Sequence, residues 1–314
     1  MKLVLAALLL LYPFYIQSKT FENGNDNLKE ERILYGGYGR SYYLHLPSVY
    51  DPKEKYPLVI FLHGFGGNGK NGLEQGHWIE KSDKEHFIVA GLNGVLKHPG
   101  RRESFLFNPR SWNCGGEGTP SEVKGINDVG FIDTVITILE SKYSVDKNRI
   151  YIAGFSNGAA MTFRAGMELS DKVAAIAPVS SVLLVKPHPL KMPVSLILIY
   201  GTDDPINPFN GGKVKRFGEE EERISAEKMW ELWGDLLKCP DEQKTIYSNN
   251  GVTGKRIGPD SAGAESDFYT VEGMGHSWPG GTNLLPKYLV GKSSNKINAT
   301  DLIWNFFMEH SKAN

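Results

Sequence analysis

Cysteine is scarce in this chain: two in 314 residues, Cys114 and Cys239. A scaffold held together by several disulfides is therefore excluded, and stability has to come from a buried core. An excess of charge of one sign is missing too, since 35 Lys and Arg stand against 36 Asp and Glu for a net charge of -1. Nothing in that balance argues for nucleic acid or an anionic membrane as a partner. Internal repeats and Ser/Pro-rich linkers are also lacking. What is present is a 40% hydrophobic fraction, enough at this length to bury a large core and to exclude a disordered or fibrous chain.

Long apolar runs are nearly absent, with one exception at the start. Met1-Lys2 supplies a positive charge, Leu3 to Ile16 is apolar apart from its tyrosines and Pro13, and Gln17-Ser18 offers a small residue for cleavage. Residues 1–18 read as a secretory signal peptide. About 14 apolar residues fall short of the ~20 that span a bilayer, so no stable membrane insertion is expected after cleavage. The protein is expected to be secreted or periplasmic, with residues 19–314 forming a single domain. In an oxidising space Cys114 and Cys239 could join, or remain two separate buried thiols; spacing does not decide between them.

Beyond the leader the pattern alternates. Ile33 to Tyr35 and Tyr42 to Leu46 flank a glycine-rich turn and predict an antiparallel hairpin. Short continuous apolar strands are expected at Pro57–Leu62, His86–Ala90, Arg149–Ala153, Val173–Val179 and Val194–Tyr200, and a last one at Asp267–Val271. Helical spacing falls between them, at Val129–Tyr143, Gly158–Leu169 and Ile224–Leu237, and a closing helix contains Ile303, Trp304, Phe306 and Phe307, capped near Asn298 or Thr300. Glu219 to Glu222 reads as the solvated start of a helix. Strands apolar on both faces and separated by helices predict an α/β fold, a mostly parallel central sheet covered on each side, with the hairpin at its N-terminal end.

The first strand runs into His63-Gly64-Phe65-Gly66-Gly67-Asn68-Gly69-Lys70-Asn71, which mimics a phosphate loop. A Walker site needs Ser or Thr after the lysine to reach Mg²⁺, and this chain has Asn71. The better reading is half of an oxyanion hole, with the Phe65 N–H as donor and glycines that let the main chain approach closely, while His63 shapes the turn. No nucleotide or other cofactor is expected. No histidine pair has His-x-x-x-His spacing, so no metal site is expected either.

Gly154-Phe155-Ser156-Asn157-Gly158 fits Gly-x-Ser-x-Gly, a weak signal alone that its context strengthens. A predicted strand ends at its first glycine and a predicted helix follows its second, the setting of a nucleophile elbow. The Asn157 N–H becomes a second oxyanion donor at the positive end of that helix. A serine needs a histidine to take its proton and a carboxylate to hold that histidine. Asp203 and Asp204 follow the most apolar strand, and both are candidates for the acid. His276 lies after them, beyond the last predicted strand, in Gly275-His276-Ser277-Trp278-Pro279-Gly280. His310 also follows, but within the closing helix, where a packing role is expected.

Leu62-His63-Gly64, Trp112-Asn113, Gly154 to Gly158, Gly201-Thr202-Asp203-Asp204-Pro205 and Gly275 to Gly280 together resemble the secreted polyhydroxybutyrate depolymerase-like esterases. That group sits with the feruloyl and acetylxylan esterases of carbohydrate esterase family one, on the α/β-hydrolase fold. The resemblance spans roughly Ile33 to Phe307. It implies Ser156 as nucleophile, Asp204 rather than Asp203 as acid, His276 as base, and a site wall that includes Trp112 and Trp278. The chain departs from the family pattern at Tyr200, where a histidine precedes the glycine, and in having only Cys114 near Trp112-Asn113. The family's disulfides are therefore not carried over.

The implied activity is hydrolysis of a small-molecule or polysaccharide-linked carboxylic ester, with an aromatic acyl ester of plant polysaccharide first, acetyl xylan next, and short polyhydroxyalkanoate esters after them. Two other classes share the pattern: a serine peptidase, and a scaffold of this fold that only binds. The segment from Leu92 to Gly118, with Lys97, Arg101, Arg102, Arg110, Phe105, Phe107 and Trp112, is expected to form an insertion at the site mouth suited to an aromatic acyl group or an acidic sugar, or else a solvated loop with a few packed aromatics.

Overall fold

The computed structural model describes residues 28–216, 219–240, 242–283 and 285–312. The leader expected at residues 1–18 lies outside them. Ten strands form one sheet, in the spatial order Leu28–Tyr35, Tyr38–His45, Ile88–Leu92, Tyr56–Leu62, Val145–Phe155, Ala175–Val179, Ser195–Gly201, Ser266–Val271, Val252–Ile257 and Gln243–Asn249. The six from Ile88–Leu92 to Ser266–Val271 run parallel, and an antiparallel pair closes each edge. This is the expected α/β fold, with the N-terminal hairpin turning through Gly36 and Gly37, both at positive φ.

Every residue of Tyr56–Leu62, Ile88–Leu92, Ala175–Val179 and Ser195–Gly201 is buried. Their side chains alternate between two cores because strand periodicity is two. Leu58, Ile60 and Leu62 point to one face, where they meet the helices Asp128–Lys142, Asn157–Glu168 and Ala226–Leu237. Val59 and Phe61 point to the other, against Trp78 of the helix Trp78–Glu85 and Ile303, Trp304 and Phe307 of the helix Ala299–Met308. The closing helix is capped by Asn298, whose side chain accepts the Asp301 N–H.

Two antiparallel strand pairs depart from the sequence expectation. Glu219–Arg223 is a strand, paired antiparallel with Gly212–Arg216, and helix Ala226–Leu237 begins only after it, at the Ser225 cap. Tertiary pairing overrides the local pattern: the register with Gly212–Arg216 buries Val214 and sets buried Arg223 against Glu117 at 3.5 Å, and the exposed Lys213–Glu220 pair at 2.9 Å adds to it. At the other end, the hairpin Gln243–Asn249 with Val252–Ile257 turns through Asn250 and Gly251, both at positive φ. Its outer strand is exposed at every residue, so hydrophobic spacing gives no sign of it, although the Asn-Gly pair is a hairpin turn signal.

Trp278 belongs to the second core. Its ring packs edge-on to Phe61 (5.5 Å between centroids) and Trp78 (6.2 Å), and its indole N–H donates to Thr300 Oγ1 at 3.1 Å. Replacing Trp278 with Ala is expected to cost about 3–5 kcal/mol of stability through the cavity left behind. Urea unfolding followed by tryptophan fluorescence measures it; a loss below about 1 kcal/mol would contradict this placement.

Candidate active site

Four loops leave the carboxyl ends of parallel strands and converge. The first follows Leu62, the second carries Ser156 after Phe155, the third carries Asp204 after Gly201, and the fourth carries His276 after Val271. Such an edge is where open α/β sheets place their ligands.

Ser156 sits at φ 56°, ψ −120°, a left-handed conformation rarely taken by a residue with a side chain. The surroundings enforce it. Its N–H donates to Val179 O at 3.0 Å, and its own carbonyl accepts from Ala159 and Ala160 as the helix begins. A side chain on Gly158 would sit 2.1 Å from Leu62 O, and one on Gly154 would sit 2.4 Å from Thr162 Oγ1, so both flanking positions require glycine.

The Ser156 hydroxyl lies 2.7 Å from His276 Nε2, and His276 Nδ1 lies 2.7 Å from Asp204 Oδ2. All three are buried. The other Asp204 oxygen accepts from the N–H groups of Ile206 (2.9 Å) and Asn207 (2.8 Å), which fixes the carboxylate. Asp203 is exposed, and its carboxylate accepts from Thr202 Oγ1 at 3.0 Å. The Phe155 ring lies 4.8 Å from the imidazole of His276, and the His276 N–H donates to Val290 O at 2.6 Å. His310 is remote from this group: it is buried beneath Phe306, with Nδ1 at 2.7 Å from Phe306 O.

Phe65 lies in the turn after Leu62 and lines the cleft, while Asn157 opens the helix directly after Ser156. Gly64, between strand and turn, comes so near that a side chain there would touch Ser156 Cβ at 3.4 Å. His63 is fully buried under this turn, as its structural role requires. Its Nδ1–H donates to Gly64 O at 2.7 Å, and its Nε2 accepts the Gly94 N–H at 3.0 Å, which fixes one neutral tautomer. Burial away from water pushes its pKa down to about 3.

The expectation that Trp112 and Trp278 wall the site needs correction. Neither lines the cleft and both are buried, Trp278 in the core behind it and Trp112 beneath the loops. Trp112 donates its indole N–H to His63 O at 2.9 Å and its main-chain N–H to Asn157 Oδ1 at 2.8 Å, so it joins the two halves of the site from below. The cleft of about 540 Å³ is walled instead by Phe65, Phe105, Leu106, Phe155, Leu285 and Leu289. Phe105 and Leu106 come from the expected insertion; its basic residues do not reach the cleft.

Sequence reasoning missed a buried polar chain beneath the site. Asn157 Nδ2 donates to Glu117 Oε2 at 2.7 Å, Arg223 reaches Glu117 at 3.5 Å and Asn207 Oδ1 at 2.8 Å, and Asn207 is one of the residues holding Asp204. These partners lie up to 106 residues apart, which spacing along a chain does not reveal. The two cysteines are free thiols. Cys114 is buried beside Asn157 Nδ2 at 3.1 Å, and Cys239 lies elsewhere, at 3.5 Å from Ala264 O.

Residues 45–217, more than half of the chain, match the phospholipase/carboxylesterase family model. The chain belongs to this family. It is a carboxylic ester hydrolase of the α/β-hydrolase fold, with relatives among feruloyl esterases. A putative esterase, NocK of Nocardia uniformis subsp. tsuyamanensis, is 27% identical over 293 residues, covering 88% of this chain and 81% of that protein. Feruloyl esterase C of Emericella nidulans is 25% identical over 281 residues, 86% of this chain and 84% of that one. Among solved structures, an acetyl xylan esterase from Aspergillus awamori superposes with a TM-score of 0.56 at 13% identity, over 79% of this chain and 94% of that one, a likeness of fold.

The buried neutral His63 makes stability pH-dependent. Its folded pKa lies below the unfolded value of 6.5, so as pH falls from 6.5 toward about 3 the unfolded chain takes a proton that the folded one refuses. Stability is expected to fall across that window, and above it this contribution is constant. Asp267, held up at about 6 by burial, acts in the opposite sense, so the measurement is a difference. Urea midpoints of the wild type and His63→Gln between pH 7 and 4 should converge as pH drops; parallel curves would remove His63 as the cause.

Proposed function

We propose that this esterase is a serine hydrolase working through an acyl-enzyme, with Ser156 as nucleophile, His276 as base and Asp204 as acid. The observation that carries this reading is the pair of 2.7 Å contacts joining the three side chains in one buried line. His276 Nε2 takes the hydroxyl proton as Ser156 Oγ bonds to the ester carbonyl carbon. The N–H groups of Phe65 and Asn157 hold the oxyanion, each worth about 3–4 kcal/mol of barrier. Asp204 accepts from Nδ1–H throughout and steadies the imidazolium. The tetrahedral intermediate collapses, the C–O bond to the alcohol breaks, and His276 gives its proton to that oxygen. Water then attacks the acyl group, losing a proton to His276, and the acid leaves as Ser156 regains its hydrogen.

The substrate we favour is an aromatic acyl ester of a plant polysaccharide. Among the residues described around the cleft the ionisable side chains are His276 and the buried, neutral His63, so no carboxylate, lysine or arginine lines it, and its aromatic and leucine walls suit a flat apolar acyl group better than acetyl. The feruloyl esterase relative supports the same choice. Asn68, Asn71, Gln75 and Asn283 supply the cleft's hydrogen-bonding groups. Export of the mature chain rests on the leader-like residues 1–18.

Methyl ferulate, acetylated xylan, short hydroxybutyrate oligomers and a peptide anilide form the deciding panel. Wild type is expected to turn over methyl ferulate fastest, and Ser156→Ala to lower kcat by about 10⁴-fold or more, with Asp204→Asn near 10⁴-fold. Full activity in Ser156→Ala would defeat the mechanism. A faster rate on acetylated xylan would move the substrate assignment to acetyl esters.

A further inference from the structure

The loop from Lys97 to Arg110 has two working faces. On one, Phe105 and Leu106 wall the cleft. The other borders a separate shallow groove of about 630 Å³, formed by Lys97, His98, Pro99 and Arg101 together with Gly118, Pro120, Val123 and Lys124. The loop between these faces is pinned. Buried Asn108 shares its Nδ2 hydrogens among the carbonyls of His98 (3.1 Å), Arg101 (3.2 Å) and Arg102 (3.1 Å), and its Oδ1 accepts the His98 N–H at 2.7 Å. With their main chain drawn inward, His98, Arg101 and Arg102 leave their side chains exposed.

The charge of this groove is uncompensated. Among the described residues, Lys97, Arg101, Arg102 and Lys124 have no carboxylate partner, and no acid lines the groove. The nearby acids are turned elsewhere. Glu103 is held by Arg110 Nε at 2.8 Å and by Asn68 Nδ2 at 2.9 Å. Glu122 accepts from the N–H groups of Gly116, Glu117 and Gly118 at 2.5–3.0 Å. A chain of net charge -1 thus concentrates cations at one place, around the apolar surfaces of Pro99, Pro120 and Val123, the last 79% exposed.

We propose that this groove binds the carrier of the ester, an anionic polysaccharide whose uronate carboxylates meet Lys97, Arg101 and Lys124 while its C–H faces lie on the prolines and Val123. The proposal rests on the esterase reading above. Arg101 and Phe105 are four residues apart, at most ~14 Å of chain, so a carrier in the groove keeps its acyl substituent within reach of the cleft. Local charge of this kind raises the encounter rate with an oppositely charged substrate and is screened by salt.

The test compares a feruloylated oligosaccharide carrying uronate groups with its carboxyl-reduced counterpart, with methyl ferulate as the control. At low salt, wild-type kcat/KM should favour the acidic form by roughly tenfold, and the preference should vanish near 0.5 M salt. The triple variant Lys97→Glu/Arg101→Glu/Lys124→Glu should lose the preference and keep wild-type activity on methyl ferulate. Equal rates on the two carriers, or a preference that survives the triple variant, would overturn the groove assignment. Titration calorimetry of the non-feruloylated acidic oligosaccharide on Ser156→Ala protein reads the groove without catalysis: binding there would support it even if methyl ferulate were not hydrolysed, a result that would sink the esterase reading alone. Tighter binding of a DNA oligonucleotide than of the acidic saccharide would likewise reject a carbohydrate groove.

Discussion

The close crossing at Gly158 is the constraint on which the site depends. Helix Asn157–Glu168 starts against the carbonyls of Leu62 and His63, at a distance that leaves no room for a Cβ. That contact brings the end of one strand and the start of the next strand's helix together, and so sets the turn after Leu62 beside Ser156. The strained backbone of Ser156 follows from the same geometry, because the chain must reverse from strand to helix within one residue. Strain at one residue costs on the order of 1–3 kcal/mol and persists because the sheet and helix are each held by many other contacts.

Around this crossing the protein spends its buried polar groups on position. Trp112 ties His63 to Asn157, and Glu117 and Arg223 continue from Asn157 to Asn207 and the Asp204 turn. The loops bearing Ser156 and Asp204 are therefore coupled from beneath as well as through His276. The side chain of Asn157 is consumed in that chain, so the oxyanion role proposed for this residue falls to its main-chain N–H.

How much of this is legible in the sequence depends on the range of the interaction. The parallel strands are readable because both faces are buried, as at Pro57–Leu62 and Val194–Tyr200, and the loops bearing Ser156, Asp204 and His276 are readable because each follows such a strand. Long-range pairings are not: nothing local to Glu117 points to Arg223, and nothing in Leu285 or Leu289 places them across the cleft from Phe105. Trp112 and Trp278 mislead for a related reason. Tryptophan beside a motif fits either a site wall or a support, and only its neighbours in space distinguish them. Glu219 to Glu222 shows the same limit for secondary structure, since its partner strand Gly212–Arg216 decides its conformation.

The two thiols bear on what a reductant can do to the fold. Burial raises the pKa of Cys114 far above its ordinary value and lifts that of Cys239 to about 11, so neither is present as thiolate near neutral pH. No covalent crosslink between them closes a loop in the fold. The folded state therefore contains no disulfide for a reductant to break, and both sulfurs enter the packing as thiols.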